Sequence, residues 1–279
     1  TSGAPWLDYV IADRVVLPES LRPPCSEQVA WLPRCFQPSD PGRAVGAPPP
    51  RAACGLPGEG TVYACFNNSY KINPATFERM LAVLRAVPGA VLWLLSGPEG
   101  ADDRLRTEAA RRGIDAARLV FMPKLPHAEY LARYRHADLF LDTTPYGAHT
   151  TASDALWMAV PVLTWSGKSF ASRVCGSLVR SAGLPELVVA RAQAYVDKAV
   201  ELGANPEKAR AMRAQLEANR DTCVLFDMDL LAGKLEELYG EMIAEYQAGQ
   251  RPQPNLANLR TYLEIGLALD RDDREMQAE

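Results

Sequence analysis

The sequence predicts an α/β fold, a doubly wound parallel sheet, and three observations carry that prediction. From residue 61 onward, short apolar segments alternate with stretches whose apolar residues recur every three or four positions. One such segment, residues 90–95, is apolar without interruption, as a strand covered on both faces must be. Helix-start signals stand between the segments, the clearest being Asn73 followed by Pro74. Alternation of this kind implies parallel strands joined by right-handed helical crossovers.

Residues 1–37 contain one short strand pattern, 9–12, then a helical turn and the segment 28–33, Gln-Val-Ala-Trp-Leu-Pro. That is too little to close a core, so this segment is expected to be the tail of a preceding domain. Residues 38–60 are dense in Pro and Gly and read as an interdomain linker. The regular alternation then fills residues 61–225. A strand at 61–66 leads to a helix capped by Asn73, with Phe77, Met80, Leu81 and Leu84 on one face. Strand 90–95, a polar helix near 102–112, strand 119–121 and a helix near 126–136 follow. Strand 139–142 ends in a loop closing on Gly147-Ala148-His149, and a helix opens at Thr150-Thr151. Strand 160–164, a helix near 169–182, a short strand at 187–189 and two helices over 191–220 complete the pattern. Residues 226–279 begin with a helix near 227–247, striped by Leu231, Leu235, Leu238, Met242 and Tyr246, and end in a charged segment, 255–279.

Thirty Lys and Arg face 34 Asp and Glu, a net charge of −4, so no broad basic field draws the chain to nucleic acid or an anionic membrane. Apolar runs fall far short of the ~18 residues of a membrane span, and the expectation is a soluble, cytoplasmic protein. Six cysteines show no CxxC spacing and three histidines are not paired with them as zinc ligands, so reduced structural thiols and no bound metal are expected.

In a parallel sheet, ligands sit beyond the carboxyl ends of the strands, so the loops after residues 66, 121, 142 and 164 should converge. The loop after residue 142 ends at a helix N-terminus whose free N–H groups and two threonine hydroxyls suit a phosphate. Thr150 or Thr151 also reads as an ordinary N-cap, and His149 as either a phosphate donor or a loop residue bonded to backbone. Lys71, in the loop after the first strand of the domain, is able to reach the same phosphate as a point charge. An isolated loop lysine is most often solvated; its convergence with His149-Thr150-Thr151 reverses that reading. Asp154, one turn into the helix, suits a ribose hydroxyl or simply the helix dipole. Ser166-Gly167-Lys168-Ser169 lacks the first glycine of a phosphate-binding P-loop, because Val162 stands there, and Gly97-Pro98-Glu99-Gly100 lacks dinucleotide spacing. Both read as turns, and Trp93 and Trp157 as core.

Together these residues resemble the catalytic region of the O-GlcNAc transferase family, inverting glycosyltransferases of the two-domain, Rossmann-like GT-B fold. The resemblance runs to about Gly249 on TSGA, DYVIAD, FNNSYKINPATF, AVLWLL, HADLFLDT, GAHTTASDALWMAVPVLT and GKSFASRV. It implies a C-terminal UDP-sugar-binding domain that transfers N-acetylglucosamine from UDP-GlcNAc to Ser or Thr hydroxyls of a protein or peptide acceptor, with no metal or further cofactor. It implies that Lys71 and His149 are catalytic, Lys71 stabilising the leaving diphosphate. It places Asn68, Tyr70, Leu125, His127, Tyr130, Arg133, Thr150, Thr151 and Asp154 with them around the UDP-sugar. It further implies a missing N-terminal catalytic half preceded by TPR repeats. Three positions depart from the animal pattern: Asn68 replaces Gln, Tyr130 a stacking His, and His127 a Lys near the ribose. The open alternatives are a related enzyme using UDP-glucose or a small-molecule acceptor, and a nucleotide-binding module without catalysis.

Overall fold

A computed structural model of the chain describes residues 6–22, 25–250 and 252. The TSGA motif and the charged segment 255–279 lie outside the described residues.

Two parallel strands, β1 (Tyr9–Asp13) and β2 (Gln28–Leu32), pair in a small sheet. The main sheet has six parallel strands: β3 (Val62–Cys65), β4 (Val91–Leu95), β5 (Leu119–Met122), β6 (Leu139–Leu141), β7 (Val162–Trp165) and β8 (Val188–Val189). Their order is β5-β4-β3-β6-β7-β8. The chain therefore winds outward from β3 to β5, returns to the middle, and winds the other way from β6. The direction reverses between β3 and β6, which is where a parallel sheet leaves a crevice at its carboxyl edge.

The helices are α1 (Pro74–Ala86), α2 (Ala101–Arg111), α3 (His127–Arg133), α4 (Thr150–Trp157), α5 (Val174–Ser181), α6 (Ala192–Ala204), α7 (Pro206–Asn219) and α8 (Met228–Gln247). Right-handed crossovers place α1 on one face, where it meets α6, and α4 with α5 on the other. Asn73 caps α1 as expected: its Oδ1 accepts from Thr76 N at 2.8 Å, while its Nδ2 donates to Thr144 O at 2.7 Å and so ties α1 to the loop after β6.

Apolar strands sandwiched between helices make the core, with Tyr63, Trp93, Phe140, Leu81, Leu84 and Leu92 fully buried. Trp93 is core as expected and packs edge-on against Phe66. Trp157 is only half-buried, edge-on to Phe226. Gly203 on α6 permits a close approach to β3, since a Cβ there would stand 1.7 Å from Tyr63 Oη.

Residues 38–60 form no strand, and only one short 3-10 turn (Arg51–Cys54) interrupts their extended path. They nevertheless lie against the sheet domain, with Gly46 N donating to Ala128 O at 2.9 Å and His136 Nε2 to Pro49 O at 2.8 Å. The small sheet docks through Asp13, whose Oδ2 accepts from Ser177 Oγ at 2.5 Å and Phe36 N at 3.1 Å. Helix α8 packs against β2, and Tyr9 Oη donates to Glu245. Leu231, Leu235, Leu238 and Met242 are half-buried along α8, but Tyr246, expected on the same stripe, is 67% exposed. No helix among the described residues is long and apolar enough to cross a membrane.

Candidate functional site

The two loops that flank the reversal point, after β3 and after β6, meet directly. Phe66 and Asn67 remain buried beyond the end of β3, and the chain then makes a 3-10 turn, Ser69–Lys71. That turn points Lys71 across the crevice, where Nζ donates to Gly147 O at 2.8 Å and lies 3.8 Å from the Tyr146 ring centroid. Burial pushes the Lys71 pKa down, and the Asp142 carboxylate opposes that shift.

Asp142 shapes the second loop from below. It is 3% exposed; Oδ1 accepts from Ala148 N at 2.6 Å and Thr143 N at 2.7 Å, and Oδ2 from Thr164 Oγ1 at 2.7 Å. The loop is thereby folded back so that its last residues present backbone toward Lys71. Burial raises the Asp142 pKa, and the bonds from Thr164 and Ala148 restrain the rise.

Asn67 joins the loops. Its Nδ2 donates to Thr143 Oγ1 at 2.8 Å, and its Oδ1 accepts from Thr151 Oγ1 at 2.5 Å. His149, rather than Thr150 or Thr151, occupies the N-cap of α4, and it supplies no side-chain cap. This corrects the N-cap reading, because Thr151 is already engaged with Asn67 and Thr150 points outward, exposed. The Thr150 and Thr151 amides have no hydrogen-bond partner among the described residues, which leaves the positive end of the helix dipole uncapped. His149 donates from Nε2 to Ala171 O at 3.4 Å, and burial pushes its pKa below the usual histidine value, favouring the neutral ring beside Lys71.

Asp154, 4% exposed, faces away from Lys71 toward α3 and residues 38–60. Its Oδ1 accepts from Arg43 Nη1 at 3.0 Å and from His127 Nε2 at 3.3 Å. Burial raises its pKa, with Arg43 and His127 pulling it back. The His127 ring stacks on Tyr130 at 5.9 Å, and the Tyr130 hydroxyl shares a 2.5 Å hydrogen bond with that of Tyr134. Leu125 is half-buried and packs on the core.

Other predicted residues stand apart. Asn68 is exposed and makes no side-chain cap, while Tyr70 is 70% exposed at the rim, 6.4 Å from the Tyr146 ring. Arg133, at the far end of α3, donates to Glu129 O and lines a separate cavity of about 470 Å³ with Cys54, Arg106 and Phe121. Three residues that organise the site were missed: Asn67, Asp142 and Arg43. Asn67 and Asp142 carried a signal, being polar residues that directly continue buried strands at the carboxyl edge. Arg43 lies among prolines and glycines and carried none.

All six cysteines are free. Among the described residues no three His, Cys, Asp or Glu side chains group as a metal-binding set.

The model of the family described as Glycosyl transferase family 41 matches residues 48–235. A probable UDP-N-acetylglucosamine–peptide N-acetylglucosaminyltransferase, SEC, of Arabidopsis thaliana is 35% identical over 91% of this chain and 27% of its own length. The UDP-N-acetylglucosamine–peptide N-acetylglucosaminyltransferase of Caenorhabditis elegans is 37% identical over 71% of this chain and 17% of its own. Among solved structures, an O-GlcNAc transferase variant from Thermobaculum terrenum superposes with a TM-score of 0.72 at 30% identity, covering 84% of this chain and 44% of that one. The chain thus spans about a quarter or less of the length of these curated relatives.

Proposed function

The chain belongs to glycosyl transferase family 41, and from that premise we propose that it carries the donor-binding domain of an enzyme that moves N-acetylglucosamine from UDP-GlcNAc to Ser or Thr hydroxyls of proteins. Its main sheet is the Rossmann-like unit of a GT-B glycosyltransferase fold.

The observation that carries the reading is the meeting of Lys71 Nζ with the Gly147 carbonyl at 2.8 Å, just before the uncapped start of α4. A diphosphate placed there would exchange one neutral carbonyl for its own oxygens against an ammonium, two free amides and the His149 ring. The acceptor hydroxyl oxygen bonds the anomeric carbon as that carbon's bond to the diphosphate oxygen breaks, and UDP leaves with the electron pair. Lys71 and the helix terminus meet the charge that develops on UDP, in a crevice where preorganised dipoles act strongly. His149 is the second catalytic group of this reading, its single Nε2–H turning from Ala171 O to the same diphosphate, while Asp154 holds the ribose and Tyr130 offers its ring to the base. Lys71 and the amides supply the stabilisation that a bound cation supplies in other transferases, so the proposed reaction needs no metal.

The test is transfer of label from radioactive UDP-GlcNAc to lysate proteins by the parent-length protein, in which the acceptor-side half is present. Lys71→Ala is expected to be slower by about 10²-fold or more, and EDTA to leave the rate unchanged. Near-normal turnover by Lys71→Ala would overturn the assignment, and loss of turnover on chelation would overturn the metal-free step. UDP-glucose outcompeting UDP-GlcNAc would overturn the donor choice.

A further inference from the structure

We infer that Arg43 is a positioning residue of the donor site, fixing the Asp154 carboxylate so that one oxygen stays free for a ribose hydroxyl. The inference rests on the proposed donor-site reading, and it brings a residue of the Pro/Gly-rich segment 38–60 into that site.

The guanidinium is held from three sides. Nη1 donates to Asp154 Oδ1 at 3.0 Å, with the two side chains only 6% and 5% exposed. Nη2 donates to Ser153 Oγ at 2.6 Å, and Ser153 Oγ in turn donates to Ser39 Oγ at 2.9 Å. The guanidinium carbon lies 5.9 Å from the Trp157 ring centroid and 5.7 Å from that of Phe226, a contact that suits a flat cation. So enclosed, Arg43 has one geometry in which to meet Asp154.

Oδ1 of Asp154 is taken by Arg43 and His127, whereas Oδ2 has no hydrogen-bond partner among the described residues. Solvent reaches Oδ2, which is not one of the fully buried polar atoms. The free acceptor is thus the oxygen that Arg43 does not occupy, on the helix whose N-terminus faces the diphosphate position. Charged and titratable groups facing Asp154 are Arg43 from residues 38–60 and His127, Tyr130 and Tyr134 from α3 and the turn after it; Asp40 faces Arg43. Burial pushes the Asp154 carboxyl up and Arg43 is the largest influence pulling it down. Without Arg43, Asp154 takes up a proton at higher pH, and a protonated carboxyl is a weaker acceptor for a ribose hydroxyl.

The experiment compares the full chain with Arg43→Met and Ser153→Ala, titrating UDP and 2′,3′-dideoxy-UDP calorimetrically between pH 5 and pH 8, with a thermal melt on each protein. Arg43→Met is expected to weaken UDP by about tenfold or more, to leave dideoxy-UDP nearly unchanged, and to move the acid loss of UDP affinity to higher pH. Ser153→Ala keeps the ion pair and is expected to produce a smaller shift in the same direction, so it decides the matter if Arg43→Met melts below the assay temperature. Equal weakening of both nucleotides, or an unmoved pH profile, overturns the role of Arg43 alone. An unaltered chain that binds UDP and dideoxy-UDP equally, or neither, overturns the ribose assignment of Asp154 and this inference with it.

Discussion

Asp142 separates the work of a buried charge from the work of its hydrogen bonds. Asp142→Ala removes the acceptor for the Ala148 amide, the Thr143 amide and the Thr164 hydroxyl, at 2.6, 2.7 and 2.7 Å. Each donor orphaned in a site 3% exposed costs about 1–3 kcal/mol. Some relief comes from water entering the space, so a stability loss of about 3–5 kcal/mol is expected. Asp142→Asn keeps one oxygen for the two amides and turns an N–H toward Thr164, whose hydroxyl rotates to accept. The charge itself is a different matter. Burial raises the folded pKa of Asp142 above its unfolded value, so its contribution to stability is present below about pH 3.9 and is lost as pH rises through the folded value. At pH 7 the ionised form adds nothing to stability, and Asp142→Asn is expected within about 1 kcal/mol of wild type. Function reverses the order of importance, because Asp142 is the anion that holds the Lys71 ammonium against its own burial. Asp142→Asn should lose UDP affinity at a lower pH than wild type on the alkaline side. Urea denaturation at pH 7 and UDP titration from pH 7 to pH 10 measure the two effects. If Asp142→Asn is as destabilising as Asp142→Ala, the charge and not the hydrogen bonds organises the loop, and the reasoning fails.

In the unaltered protein, burial lowers the Lys71 pKa, so donor binding should fall as pH rises through a value below the usual ~10.4 of lysine, and Lys71→Arg should carry binding to higher pH. A pH profile of UDP affinity checks this, and an alkaline limb unmoved by the arginine would assign it to another group. Asn67→Ala cuts the bonds to Thr143 and Thr151 and is expected to cost about 1–3 kcal/mol in chemical denaturation and to weaken UDP. Asn68→Ala, at an exposed position, is expected to change stability by no more than about 0.5 kcal/mol.

That last pair shows where sequence reading reaches and where it stops. Strands β3 to β8 were legible because unbroken apolar runs have few other uses, and α1 because Asn73 and Pro74 mark a helix start in any surroundings. The Lys71 and His149 loops were legible because parallel sheets place ligands at their carboxyl ends. Choosing between Asn67 and Asn68 requires knowing which of two adjacent side chains points inward as the strand ends, and a motif matched by position does not contain that. Asp142 looked like the end of a strand because its partners, Ala148 and Thr164, are brought to it by a turn and by a neighbouring strand. Arg43 was hidden for a further reason. Pro and Gly announce that a segment is irregular but say nothing of where it lies, and only the folded path of residues 38–60 carries that guanidinium to Asp154.

The reversal of strand order between β3 and β6 also bears on how the site comes into being. β3 pairs with β4 through four residues but with β6 through only two, Tyr63 with Leu139 and Ala64 with Phe140. The central seam is therefore as short as the β6–β7 and β7–β8 joins, and unlike them it closes a long loop, since α1, β4, α2, β5 and α3 all intervene. Asn67 and Lys71, reaching across to Thr143, Thr151 and Gly147, extend that seam beyond the last backbone pair. The crevice is thus held partly by the side chains that line it, Asn67 and Lys71. A nucleotide lying across both loops, as proposed, would act as a clasp on the seam, and its occupancy would feed into the stability of the sheet.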